Sequence, residues 1–191
     1  KRDYKRANFY LDKLKKHKES GSFEYIVSTG LEEYVYLFNN NEITKDLSNE
    51  FGNLSLINKS FQNCYLENSK TESFFLNLIN SEERGYSRYV FFYINFLLNQ
   101  QKFSEVETFY ENIDYLNSTL LVAQSKKWIE DKNYNNFKEI FSCQNSNDVI
   151  GEFLFVIANL YSSEGFLKES DFYINLSNYL NSKFIFNYSL L

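Results

Sequence analysis

Residues 151–182 read Gly151-Glu152-Phe153-Leu154-Phe155-Val156-Ile157-Ala158-Asn159-Leu160-Tyr161-Ser162-Ser163-Glu164-Gly165-Phe166-Leu167-Lys168-Glu169-Ser170-Asp171-Phe172-Tyr173-Ile174-Asn175-Leu176-Ser177-Asn178-Tyr179-Leu180-Asn181-Ser182. In the first half Leu154, Ile157, Ala158 and Tyr161 recur at spacings of three and four, which places them on one face of an α-helix. After Gly165 a second stripe follows: Leu167, Phe172 or Tyr173, Leu176 and Leu180. Neither half alternates apolar and polar residues as a half-buried strand does. Two apolar stripes joined by a short polar break cover each other as an antiparallel helical pair.

The same period extends outward. Val90, Tyr93, Ile94, Leu97 and Leu98 repeat it within 88–98. Short polar breaks divide the chain at 19–22, 39–41, 80–83, 99–101, 131–133 and 144–148, where Ser, Asn and Asp can accept bonds from the first N–H groups of the next helix. The resulting map has about ten helices, with segments at 1–18, 22–39, 42–51, 54–67, 71–80, 86–100, 102–115, 118–131, 133–143, 147–164 and 166–180, and a last one from about 183. The 191 residues contain no Pro and only 6 Gly. All-β sandwiches and barrels need many tight turns and the residues that make them. At 43% hydrophobic and 24% charged the chain is an ordinary globular one. Its 20 Phe and 16 Tyr, with abundant Asn and Lys, are what an AT-rich genome supplies. Both ends are expected to continue into a longer protein.

The unit at 151–182 resembles a tetratricopeptide repeat. Ala158 stands at its small position, Tyr161 at its aromatic one and Gly165 at its turn; Ser170 and Ser177 replace the two usual alanines, and Ser182 the closing Pro. Weaker copies are 87–118, with Val90, Tyr93, Leu97, Phe103, Val106, Tyr110, Ile113 and Leu116, and 118–142, with Leu121, Trp128, Tyr134, Phe137 and Phe141. Phe103, Tyr134 and Leu167 open the second helices. Residues 3–10 look like the second helix of a cut repeat. The pattern is also similar to divergent Lys/Asn/Phe-rich bacterial repeat proteins, several of them exported. The resemblance implies an all-α fold, a right-handed α-solenoid of antiparallel hairpins, as a single repeat domain over 1–191. It also implies that first helices line a concave groove. The partner-binding residues there are Arg88, Phe91, Asn95, Val122, Lys126, Glu152, Phe155 and Asn159, with Thr119 beside them.

Groups that carry chemistry are scarce. His17 is the single histidine, so no Ser-His or Cys-His arrangement has a second choice. Cys64 and Cys143 are far apart and fit no metal spacing, and they read as two small core residues. Glu32-Glu33 and Glu82-Glu83 are adjacent on helices and read as solvated or capping pairs. No Gly-rich phosphate loop is present. The expectation is a non-catalytic scaffold with no metal or cofactor that binds a peptide or partner protein; a structural, oligomerising segment is the alternative, and a small-ligand protein or enzyme a distant third. Charge is segregated. Residues 1–18 hold eight Lys/Arg against Asp3 and Asp12, about +6, leaving about −11 elsewhere. The acidic remainder argues against nucleic acid. The basic end reads as cations favouring a helix C-terminus. No stretch is long and apolar enough to span a membrane. Compartment stays open between the cytoplasm and export, as does homo-oligomerisation.

Overall fold

A computed structural model describes residues 3–15, 22–44, 52–80, 87–113 and 119–190. Among these the protein is all-α: α1 (Tyr4–Lys15), α2 (Phe23–Asn40), α3 (Asn53–Tyr65), α4 (Thr71–Ile79), α5 (Arg88–Asn99), α6 (Phe103–Glu111), α7 (Leu120–Glu130), α8 (Asn135–Ile140), α9 (Ser146–Ser163) and α10 (Leu167–Leu180), then a 3-10 turn at Ile185–Leu190. Polar breaks start several helices as expected. Ser22 accepts the Tyr25 N–H, Thr119 that of Val122, and Asn145 that of Asn147, satisfying donors that a helix start leaves open. The segment expected to be helical at 42–51 differs. Residues 42–44 are not helical, and the rest lies outside the described residues. Asn41, in the left-handed conformation at φ 55°, closes α2 there with its N–H on the Leu37 carbonyl.

One turn recurs four times. Glu67, Gln101, Lys132 and Gly165 all have positive φ. In each case the N–H of the next residue reaches back five positions: Asn68 to Asn63, Lys102 to Leu97, Asn133 to Trp128, Phe166 to Tyr161, at 2.9, 3.0, 2.7 and 2.9 Å. This is the Schellman closure, which satisfies the last carbonyls of a helix and reverses the chain. It makes hairpins of α3–α4, α5–α6, α7–α8 and α9–α10, with turn centres 34, 31 and 33 residues apart.

The α9–α10 hairpin is the closest-packed pair. Ala158 is wholly buried in a cluster with Phe155 and Ile174 of α10, and the Ser177 hydroxyl donates to the Gly151 carbonyl at 2.7 Å. Yet α9 also packs on α2 and α3. In a simple stack each repeat touches only its neighbours; here the last hairpin meets elements more than a hundred residues away in α2. Tyr34 of α2 meets Phe153 at 5.4 Å between ring centres. The core beneath is aromatic. Phe92 lies edge-on to Phe61 at 4.9 Å and to Phe141 at 4.6 Å, and stacks on Phe184 at 5.7 Å. Each such pair adds about 0.5–1.5 kcal/mol beyond its area.

Cys64 and Cys143 are buried, but they are not free. They form a disulfide, with Cα atoms 5.6 Å apart, that ties the end of α3 to the segment before α9. The expectation of two separate thiols fails because it used spacing along the chain. The fold brings the pair together across 79 residues by docking α3 on α9. Disulfides persist in oxidising compartments, which this bond hints at. No helix among the described residues is long and apolar enough to cross a membrane.

Candidate functional site

The structure gathers several of the residues assigned to a concave groove, but in the interior. Arg88 grips Glu152 with two bonds, Nε to Oε1 at 2.8 Å and Nη2 to Oε2 at 2.6 Å. Its Nη2 also donates to Asn187 Oδ1 at 2.6 Å. The guanidinium lies 3.8 Å from the centre of the Phe155 ring and 4.8 Å from that of Phe184. Burial raises the Glu152 carboxyl above its usual range, and Arg88 draws it back. Asn187 in turn donates to Ser177, so the cluster pins the C-terminal turn to the hairpin. Phe91 and Val122 are fully buried, and Phe91 stacks on Phe137 at 5.3 Å. Asn95 donates to the Phe137 and Phe141 carbonyls at 2.9 and 3.0 Å. Asn159 donates to the Phe155 carbonyl at 3.0 Å one turn back. Lys126 is partly exposed beside Glu130 at 4.0 Å, and Thr119 caps α7. Phe91, Asn95, Val122, Glu152 and Phe155 therefore hold the fold together and present no surface to a partner. The sequence frame put them on first helices; it did not show that other helices cover them.

Glu33 also departs from its reading as a solvated residue. It is buried and accepts from Gln62 Nε2 at 3.1 Å and, more weakly, from Asn58 at 3.5 Å. Beside it opens a cavity of mixed lining, about 250 Å³, edged by Lys59 and Lys70 with Ile43 and Phe74. A second cavity of about 240 Å³, polar in its lining, lies by Asp148 and Lys183. His17, Glu82 and Glu83 lie outside the described residues. Among the described residues no three His, Cys, Asp or Glu side chains stand together as a metal site would need.

An apolar cleft of about 240 Å³ is a different kind of site. Leu11 and Leu14 of α1 form one wall, Val27 and Leu31 of α2 the floor, and Leu154 of α9 with Phe172 and Leu176 of α10 the other wall. Leu14 and Phe172 stand at its mouth, 45% and 57% exposed. Glu24 lies on the rim. Inside the rim Tyr173 stacks on Tyr161 at 5.3 Å. Burial raises the Tyr173 phenol, a hydrogen bond with Tyr161 offsets part of that, and the charges of Glu24 and Glu169 raise it further. Glu24 is thus the carboxylate among the residues that line this apolar trough. Sequence reasoning passed over Leu11 and Leu14 because α1 was taken as the remnant of a repeat; their signal was the three-residue step from Leu11 to Leu14 on an otherwise basic helix. No family model matches the chain, and no curated protein or solved structure matches it either.

Proposed function

We propose that this protein is a non-catalytic binding module built from degenerate tetratricopeptide-like hairpins, and that it receives an amphipathic helical segment of a partner protein in the α1–α2–α10 cleft. The recurrence of one helix-closing turn at intervals of 34, 31 and 33 residues supports the repeat ancestry. The observation that carries the binding function is the cleft, apolar along its floor and walls and acidic at Glu24. A helix laid in such a groove anchors apolar side chains at spacings of three and four. A polar or basic side chain on its flank would meet Glu24.

A displayed peptide library selected on the intact, oxidised chain tests this. Enriched sequences should carry apolar anchors at three-and-four spacing. Phe172→Ser and Leu14→Ser alter exposed side chains and leave the fold intact; each should weaken the selected peptides by about 1–3 kcal/mol. Binders that ignore both substitutions would remove the cleft from consideration.

A further inference from the structure

The inner face of α1 is absorbed by the cleft and the outer face is not. Leu11 is buried against the body. On the opposite side Arg6, Phe9, Tyr10 and Lys13 fall at i, i+3, i+4 and i+7, one continuous stripe along the helix. Phe9 is 54% and Tyr10 50% exposed. The cations lie against the rings. Lys13 Nζ is 4.4 Å from the Phe9 centroid, and the Arg6 guanidinium 5.9 Å from that of Tyr10. Lys5 flanks the stripe and is exposed. Of the two acids on this segment, Asp3 is used to cap the helix through the Arg6 N–H, and Asp12 flanks the stripe on the far side of Lys5.

We infer that this stripe docks the protein on an anionic lipid bilayer. Two properties select that partner. The first is charge: the sequence of residues 1–18 carries about +6 in a chain of net −5, and α1 itself holds Lys5, Arg6, Lys13 and Lys15 against Asp12. Cations concentrated on one helix are attracted to a negative surface over about a Debye length. The second is the mixture within the stripe. Long Lys and Arg side chains extend their charged heads to lipid phosphates, while Phe and Tyr rings settle at headgroup depth, where an apolar ring edge and a phenol are both accommodated. The stripe is two turns long and carries too little apolar surface to insert deeply. Attraction therefore depends on the charge, and binding is reversible.

Co-sedimentation of the intact, oxidised chain with vesicles tests the proposal. Vesicles of phosphatidylcholine containing phosphatidylglycerol should bind it; phosphatidylcholine alone should not. Arg6→Gln and Lys13→Gln should each lower partitioning about fivefold, in line with one basic residue at an anionic surface. Phe9→Ser with Tyr10→Ser should also weaken binding but leave its salt dependence unchanged. All four side chains are exposed, so unchanged helical circular dichroism checks that the variants fold. With Cys64 and Cys143 paired, Phe9→Cys offers a single labelling site, and a polarity-sensitive dye there should shift to the blue on the anionic vesicles. Three results would overturn the proposal: no binding to the anionic vesicles, equal binding to both vesicle types, or retention that survives loss of Arg6 and Lys13. Capture by polyglutamate with no vesicle binding would assign the stripe to an acidic protein instead.

Discussion

Helix α9 has two faces, and they are held in different ways. Toward α10 it presents Gly151 and Ala158, small residues that let the two backbones approach, and the partner is the next helix in the chain. Toward the rest of the molecule it presents Glu152 and Phe153, whose partners Arg88, Gly30 and Tyr34 lie 64 to 123 residues away. The first face closes over a short loop and costs little chain entropy. The second must offset the ordering of most of the chain, and loop closure grows more costly with length. Strong, specific contacts accordingly concentrate there and at the segment leading into α9: a two-pronged buried ion pair, a disulfide and the tilted Tyr34–Phe153 rings. The lesson is that the hairpins are local units, and that the compact molecule depends on long-range fastenings across α9.

The ion pair is the largest of these. Arg88→Ala leaves the Glu152 carboxylate buried without its partner and strips Asn187 of a donor. Breaking one half of a buried pair typically costs about 3–5 kcal/mol. Urea unfolding should show a loss of that size, with amides of α5 and the C-terminal turn exchanging faster while the α9–α10 hairpin stays protected. Replacing both groups, Arg88→Met with Glu152→Leu, should recover part of the loss. A double variant no better than Arg88→Ala would mean that the orphaned charge is not the source of the cost.

The disulfide comes next. Cys64→Ala with Cys143→Ala frees a loop of 79 residues in the unfolded chain, and a loop of that length is worth about 2–4 kcal/mol. The melting temperature of the native chain should fall correspondingly when it is refolded under reductant. An equal melting temperature with and without the bond would place the fastening entirely in the α3–α9 packing.

This division also explains what was legible in the sequence. Helix positions, the α9–α10 hairpin and its Gly165 turn follow from periodicity within about 30 residues, where local pattern and local structure coincide. The other three turns place Glu67, Gln101 and Lys132 in the left-handed conformation, which costs a side-chain-bearing residue about 1–2 kcal/mol. Tertiary packing supplies that energy, so no Gly marks those turns in the sequence. The cleft and the burial of Phe91, Asn95 and Glu152 were not legible, because one strip of sequence does not say which helix will cover it. The same holds for the disulfide, since the separation of two cysteines along a chain does not report their separation in space.

Two glycines on α9 and opposite it sharpen the contrast at smaller scale. A Cβ added at Gly30 would stand 2.5 and 2.6 Å from atoms of the Phe153 ring, itself fully buried and unable to retreat. A Cβ at Gly151 would meet the Ser177 carbonyl oxygen at 3.4 Å and Asn181 Cβ at 3.6 Å, ordinary contact distances. Alanine is the better helix former by about 1 kcal/mol at both positions. Gly151→Ala should therefore stabilise by up to about 1 kcal/mol. Gly30→Ala should destabilise by about 1–2 kcal/mol, overpacking outweighing propensity. Denaturation midpoints of the two variants check the pair. The same sign for both would erase the distinction between the local and the long-range face.

A pH-dependent effect concerns the junction where the disulfide segment enters α9. Asp148 sits in the first turn of that helix and accepts the Ser142 N–H at 2.9 Å and the Asn145 side-chain amide at 3.1 Å. Burial nevertheless raises its carboxyl to about 6; the Ser142 N–H, the charge of Lys183 and the Asn145 amide pull it only part of the way back. The folded state thus holds the proton more tightly than the unfolded chain, whose carboxyl titrates near the usual 3.8. For such a group stability is greatest when the carboxyl is protonated in both states, falls as pH rises through the interval between the two values, and is level above the upper one. Between about pH 4 and pH 7 this group should remove about 1–2 kcal/mol from the native chain. Asp148→Asn cannot ionise, so the difference in stability between the native chain and this variant should drift by that amount across the interval and be flat above it. Urea midpoints of both proteins over the range measure the drift. Parallel curves would show that the carboxylate is solvated through the neighbouring polar cavity, and the junction would then be held by the disulfide and the α9 cap alone.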